Sequence, residues 1–481
     1  MENELKNKFV YQAILSASQV LLALITYPYI TRVLGPENLG KVNYVDFLSQ
    51  VFTIFAAFGI SYYAVREIAI VRNDVKKRAQ LIKEMAVLHL LFSILTTVAF
   101  ALFTFNSWAK NPLIYGLAIC NILISAFSFE WYIQGMEAFR FSAIRTISVR
   151  LLMIVGFFLL VRTSDDYAIY WGIFTVGIFI IAALNSYKLL TENHFATQPL
   201  NLKRHLKPLW HFFLTTSAIS VYVYFDAIIL QHLTHNARLV GYYTTVLKMV
   251  KICLVIVLAI GTVLMPRMSY LVGAGNISEI KRHINKVLEF IFIAGLPIGT
   301  GLFVLAPEII KTVAGEKFLP AVPLMRILAF LPLIIGLSNL FCFQTLVPFK
   351  QEKKFLLVVI IGGIASLGLN FLLIPTLAEA GAAYANMTTE TIITVISGVL
   401  AYKIIHFKLQ VSVIIQILFS SLLFIPVIWI CRSLFSSSVL ILCTGIPACM
   451  IIYFGVHLLV FKNMVVIEVR DYIAALLFFK K

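Results

Sequence analysis

Residues 355–376 read Phe355-Leu-Leu-Val-Val-Ile-Ile-Gly-Gly-Ile-Ala-Ser-Leu-Gly-Leu-Asn-Phe-Leu-Leu-Ile-Pro-Thr376, 22 positions without a single charge. As an α-helix the stretch is about 33 Å long, enough to cross a hydrocarbon core about 30 Å thick. Stretches of this kind follow one another from Phe9 to Phe461 with short polar breaks. They lie near 9–33, 41–65, 84–105, 113–134, 145–163 and 167–190, then near 209–233, 241–266, 287–311, 324–347, 355–376 and 380–404, and finally near 411–432 and 436–461. The chain therefore reads as an all-α polytopic membrane protein with about 14 transmembrane helices.

Composition agrees. Apolar residues make up 60% of the 481 positions and charged residues only 13%, about half the share usual in a soluble domain. The net charge of +17 would suggest nucleic acid on a soluble protein, but here its distribution points to topology. When the loops are alternated between two sides, 28 of the 39 Lys and Arg fall on one side and 9 on the other, with Lys248 and Lys251 inside a span. Cytoplasmic loops collect Lys and Arg, so both termini are expected in the cytoplasm and nucleic acid is not an expected partner. The polar start, Met1 to Lys8, leads into a span too long for a signal-peptide core. The six cysteines sit singly in apolar runs without CxxC or metal-ligand spacing. The longest loop, near Thr191 to Pro208, is too short to fold alone, which excludes a soluble catalytic domain.

A faint internal repeat divides the chain. Arg32-Val-Leu-Gly-Pro-Glu-Asn-Leu-Gly40 after the first span matches Leu233-Thr-His-Asn-Ala-Arg-Leu-Val-Gly241 after the seventh. Gly40 precedes Arg66 by 26 positions and Gly241 precedes Arg267 by the same 26. The expected division is a six-helix lobe over 1–208, a second over 209–410, and two further helices with a cytoplasmic tail over 411–481.

Four stretches carry a resemblance: Tyr29-Ile-Thr-Arg-Val-Leu-Gly-Pro-Glu-Asn-Leu-Gly40, Phe58-Gly-Ile-Ser-Tyr-Tyr-Ala-Val-Arg-Glu-Ile-Ala69, Phe129-Glu-Trp-Tyr-Ile-Gln-Gly-Met-Glu137, and Asn370-Phe-Leu-Leu-Ile-Pro375 followed by Gly381-Ala-Ala-Tyr-Ala385 and Glu390. In this order they resemble the Wzx-type polysaccharide flippases of the MOP exporter superfamily. The resemblance implies two lobes around a central hydrated cavity, alternating access, and residence in the bacterial cytoplasmic membrane. It implies a polyprenyl-pyrophosphate-linked oligosaccharide repeat unit as substrate, moved between leaflets for O-antigen, capsule or exopolysaccharide synthesis. Candidate partners are then a polysaccharide polymerase and a chain-length regulator. The fourth stretch departs from the pattern, since Thr376 to Ala380 has no glycine beside the proline and Asn386 stands where Thr is common.

Charges inside spans are costly, so each needs a reason. By helical rise, Lys251 and Glu390 fall roughly 15 Å from the outer ends of their spans and Lys248 and Asp226 about 10 Å. Lys248 and Lys251 share a helix face and repel one another. One reading is a cationic patch for a pyrophosphate, with Arg32 beside it; the other pairs Lys248 with Asp226 and Lys251 with Glu390 as struts. Asp46, Asp226, Glu130 and Glu390 are candidates for a driving H+ or Na+, because burial brings a carboxylate toward neutrality. Glu130, in Glu-Trp-Tyr, has the plainer alternative of anchoring its span near the interface, and snorkelling is the plainer one for Arg32. His89, His211 and His232 lie alone in spans and read as core groups with satisfied hydrogen bonds.

No HExxH, GxSxG, Walker loop or metal cluster is present, so neither enzyme activity nor a cofactor is expected. A drug or cation antiporter of the MATE branch is the rival on the same fold, although cationic drugs prefer an acidic, aromatic pocket. A polysaccharide polymerase or ligase would need a large arginine-bearing outer loop, which this chain lacks.

Overall fold

Among the described residues every regular element is helical. The computed structural model describes residues 2–108, 111–193, 199–408, 410–461 and 467, with side chains throughout these except at 2–14, 16, 17, 19, 20, 23, 215, 218–222, 259–267, 269 and 270. Lys110, Lys462, Arg470, Lys480 and Lys481, counted above among the loop cations, lie outside the described residues, as do the side chains of Lys6, Lys8 and Arg267. The chain divides into two compact units, Met1–Gly241 and Tyr242–Lys481.

The first unit holds α1 (Glu2–Ala57), α2 (Ile60–Ile70), α3 (Val75–Trp108), α4 (Pro112–Ser125), α5 (Glu130–Gly135), α6 (Phe139–Leu160), α7 (Tyr167–Glu192) and α8 (Lys203–Thr234). It ends in the first turn of α9 (Ala237–Gly273). α1 is two helices joined at Gly35, whose φ of 70° and ψ of 176° break the spiral. A glycine takes this conformation without a Cβ clash. Pro36 then opens the second half, where its missing N–H would have found no partner in any case. The turn separates the first two expected spans. The second of these bends again by 42° at Phe58 and Gly59, where φ is 42° and 80°. Phe58 stacks on Phe92 at 4.3 Å and on Phe213 at 4.5 Å, filling the bend. Asp74, just before α3, accepts the Lys77 N–H at 3.1 Å, and that bond holds its carboxyl below the usual carboxylate range.

The second unit continues α9 and adds α10 (Ile277–Val304), α11 (Ala306–Val313), α12 (Val322–Leu328), α13 (Leu331–Phe341), α14 (Glu352–Ile405), α15 (Val411–Leu422), α16 (Phe424–Leu434) and α17 (Ser438–Leu459). The 54 residues of α14 would be about 81 Å long if straight, far more than a bilayer is thick. They are broken at Ala378 (φ 49°, ψ −126°), between the two spans expected at 355–376 and 380–404. The departure noted in the fourth motif thus acquires a structural meaning, because a residue with a Cβ occupies a left-handed position. The last helices are fastened to α10 and α11. Arg432 donates to both Glu308 carboxylate oxygens at 2.7 and 2.9 Å and to the Val304 carbonyl at 2.7 Å. The Tyr453 hydroxyl donates to the Ile293 carbonyl at 2.9 Å.

Nine helices among the described residues are long and apolar enough to cross a membrane, or eleven if each bent pair is one span. The expected count of about fourteen is not reached by this measure, which takes α14 as one helix although it covers two expected spans. The apolar window of α3 is only 22% buried, so side chains such as Phe103 and Phe105 face outward. In a bilayer such faces are the solvated ones. Ala237–Leu258 of α9 is 61% buried, the most interior of these spans.

Candidate functional site

Every network of charges described in the first unit was built by chain segments far apart in sequence. Glu84 on α3 is fully buried and surrounded by donors. It accepts from Gln80 Nε2 at 2.8 Å, from the Asn201 N–H at 2.9 Å, and from the guanidinium of Arg204. His205 Nε2 lies 2.8 Å from the same carboxylate, and the Tyr63 hydroxyl bonds the other ring nitrogen at 2.7 Å. With the proton on Nε2 facing the carboxylate, the tyrosine hydroxyl donates to Nδ1. Four segments are tied by one carboxylate: α2, α3, the chain before α8, and the start of α8.

A second network lies at the same end of the unit. Arg78 is buried and donates to Asn193 Oδ1 at 2.7 Å and to the Arg72 carbonyl at 2.6 Å. Asn193 donates to the Tyr132 hydroxyl at 2.8 Å, which donates to Glu192 Oε2 at 2.8 Å. Arg72 closes the group through Glu137 at 2.8 Å and the Gly135 carbonyl at 3.0 Å.

Glu130 belongs to a third. Its carboxylate pairs with Arg145 at 3.1 Å and accepts from Asn185 Nδ2 at 3.1 Å. Arg145 also bonds Asn185 Oδ1 and the hydroxyls of Ser142 and Thr146, and its side chain is 4% exposed. A buried guanidinium needs such acceptors, because an unpaired charge there is far more costly than a paired one, although Arg145 Nε itself finds none among the described residues.

The remaining candidates take different positions. In the first unit, Arg32 is exposed in the last turn before Gly35, Asp46 is half-buried, and Asp226 on α8 is 2% exposed. Gln50 Nε2 approaches Asp46 at 3.4 Å, and the carboxylate lies within electrostatic reach of the Tyr170 and Tyr224 hydroxyls. Phe47 and Tyr224 pack with ring centroids 5.7 Å apart, which brings α1 and α8 together beside Asp46. In the second unit, Lys248 is half-buried and Lys251 exposed, one turn apart on α9. Glu390 is half-buried on α14, within electrostatic reach of Cys342. No group of three or more His, Cys, Asp or Glu that could hold a metal ion occurs among the described residues.

Sequence reading did not single out Glu84, His205 or Asn185. The one available signal was a glutamate inside an apolar helix, with Arg-His at the start of a later one. The three histidines differ from the expectation of satisfied core groups. His89 is buried, and neither ring nitrogen has a hydrogen-bond partner among the described residues. His211 is exposed and bonds the Lys207 carbonyl at 2.8 Å. His232 is exposed at the end of α8, its ring 6.2 Å from that of His235.

Comparison with known proteins places this arrangement. Two curated proteins named "Putative O-antigen transporter" are similar to the chain. The one from Escherichia coli (strain K12) is 26% identical over 404 residues, covering 81% of this chain and 95% of that protein. The one from Shigella dysenteriae is 26% identical over 401 residues, covering 81% and 98%. Among solved structures, the inward closed conformation of the lipid II flippase MurJ matches with a TM-score of 0.72 at 14% identity, over 93% of this chain and 99% of that one. The inward-facing conformation of a multidrug resistance MATE family transporter of the MOP superfamily matches with a TM-score of 0.64 at 12% identity, over 83% and 98%. The chain therefore shares its fold with these two solved membrane proteins, and its apolar helices make it multi-pass in the membrane. Residues 5–272, more than half of the chain, match the family described as polysaccharide biosynthesis protein, and the chain belongs to that family.

Proposed function

We propose that the chain is a flippase that turns a polyprenyl-pyrophosphate-linked oligosaccharide repeat unit from the inner to the outer leaflet of the bacterial cytoplasmic membrane. A diphosphate with a sugar head cannot cross hydrocarbon unaided, since each charge there costs several kcal/mol. The observation that carries the reading is the fold shared with a lipid II flippase over 93% of a chain that belongs to a polysaccharide biosynthesis family. The likeness to a multidrug transporter covers less of the chain and has a lower TM-score.

In this reading two lobes, 1–208 and 209–410, alternate access to the two leaflets while 411–481 flank the second. The basic loop end, which carries Arg72, Arg78 and Arg145, faces the cytoplasm, as do both termini. Lys248, Lys251 and Arg32 attract the pyrophosphate. Lysine suits a mobile anion as a point charge without fixed geometry. Asp46, Asp226 and Glu390 bind the H+ or Na+ that drives the cycle, while Glu130 serves as the charge partner of Arg145.

The test is a deletion strain analysed for surface polysaccharide and for lipid-linked intermediates. Complete repeat units stranded on the inner leaflet with no surface polymer are expected. Normal polymer with raised sensitivity to cationic drugs would replace the flippase by a drug exporter.

A further inference from the structure

The first unit contains a cavity of about 1040 Å³ at the loop end opposite the three charge networks. It is lined by the second half of α1, the end of α3, the start of α4, the end of α8 and the start of α9. Its volume is at the top of the range for small-molecule sites. We infer that it is a carbohydrate-binding vestibule, which takes the oligosaccharide head of the substrate on the outer side of the membrane. The inference rests on the flippase reading, and on the sidedness that the basic loops imply.

The lining decides the ligand class. Asn106, Asn111 and Gln231 contribute carboxamides, a group that pairs a donor with an acceptor, and Asn111 Oδ1 also accepts the Tyr167 hydroxyl at 3.1 Å. Vicinal sugar hydroxyls require that pairing. Gln231 lines the cavity, and its Oε1 is buried in the wall with no hydrogen-bond partner among the described residues. Tyr44 and Tyr115 add flat apolar rings with a polar tip, suited to the C–H face of a pyranose and its hydroxyls together. A prenyl chain would find these polar groups and bury them unpaired, at a cost of a few kcal/mol.

Charge argues against the diphosphate as occupant. The two cations of the lining, Lys41 and Arg238, both turn to Glu37, at 3.1 and 3.7 Å. Lys41 also donates to Asn38 Oδ1 at 3.1 Å. The three charges leave a net of one positive, which fits a neutral or singly acidic oligosaccharide and not a pyrophosphate needing several donors.

The test uses the full-length protein in cells and in right-side-out vesicles, with Ser107→Cys at the cavity wall as reporter and Thr234→Cys as a second wall position should the first fold poorly. The wild-type chain, whose cysteines lie in apolar helices, is the background. A membrane-impermeant maleimide added outside is expected to label the new cysteine. The probe ligand is the free oligosaccharide repeat unit, cut from the host's own surface polysaccharide. At about ten times its dissociation constant it is expected to slow labelling about tenfold. Gln231→Leu is expected to abolish that protection while leaving labelling intact. Labelling from the cytoplasmic side alone, absence of protection at millimolar oligosaccharide, or equal protection by polyprenyl phosphate without sugar would each overturn the inference. The parent reading fails separately. A deletion strain that strands repeat units while the cysteine shows no protection removes only the vestibule. Normal polymer in that strain, with protection present, removes the flippase and leaves a glycan site.

Discussion

Gly40 and Gly241 pack against each other's helices reciprocally. A Cβ on Gly40 would lie 1.8 Å from the carbonyl oxygen of Ala237, and a Cβ on Gly241 would lie 1.8 Å from the carbonyl oxygen of Pro36. Ala237 stands four residues before Gly241 and Pro36 four before Gly40, so the contact has approximate two-fold symmetry. These are the two glycines that the internal repeat aligns. Close backbone approach through small residues is how helices associate in a bilayer, where lipid tails leave no hydrophobic force between them.

Gly40→Ala and Gly241→Ala should each destabilise the protein by about 3 kcal/mol or more, the upper end of overpacking effects. The double variant should cost little beyond either single one, because a helix pair already pushed apart accommodates both methyls. Thermal unfolding of the purified proteins in detergent measures this. Additive losses would mean that the glycines do not share one contact.

Ala378→Gly should raise the melting temperature. The left-handed φ of 49° at this position stores strain of about 1–3 kcal/mol that glycine does not pay. An unchanged or lowered melting temperature would show that the alanine methyl contributes packing of equal value.

Glu84→Ala should destabilise by about 3–5 kcal/mol, since it strips the acceptor from Arg204, His205 and Gln80 at once. Limited proteolysis of the segment before α8 should accelerate in parallel. Wild-type stability in this variant would reduce the network to a decoration of the loop.

Glu130→Gln and Glu390→Gln should separate structure from drive. The first should lower stability, because Arg145 loses its carboxylate partner, and should leave the dependence on the ion gradient unchanged. The second should alter that dependence in a transport assay across an imposed pH or Na+ gradient. A reversed pattern would exchange their roles.

Lys251→Ala should abolish transport of repeat units while the protein remains in the membrane at normal abundance, as read by immunoblot and by surface polymer. Full transport would remove the pyrophosphate patch from α9.

Apolar length and glycine-proline punctuation were enough to recognise a helical membrane protein, because the bilayer admits few alternatives to a hydrogen-bonded helix. The break at Gly35-Pro36 could be read in the same way, from residues that interrupt a helix, whereas the one at Ala378 falls on a residue that ordinarily continues one. The loop bias of Lys and Arg is also a property of order along the chain alone. What no linear reading could supply was which charges meet. Arg78 and Arg145 count as two more basic loop residues in any tally, yet both are buried among acceptors. Glu84 looks like an isolated charge at a span's edge until the fold brings Arg204 and His205 to it from 120 and 121 residues away. Hydropathy weighs each residue as if it stood alone in solvent or lipid. The cost of a charge is set by its neighbours, and only the tertiary structure decides who they are.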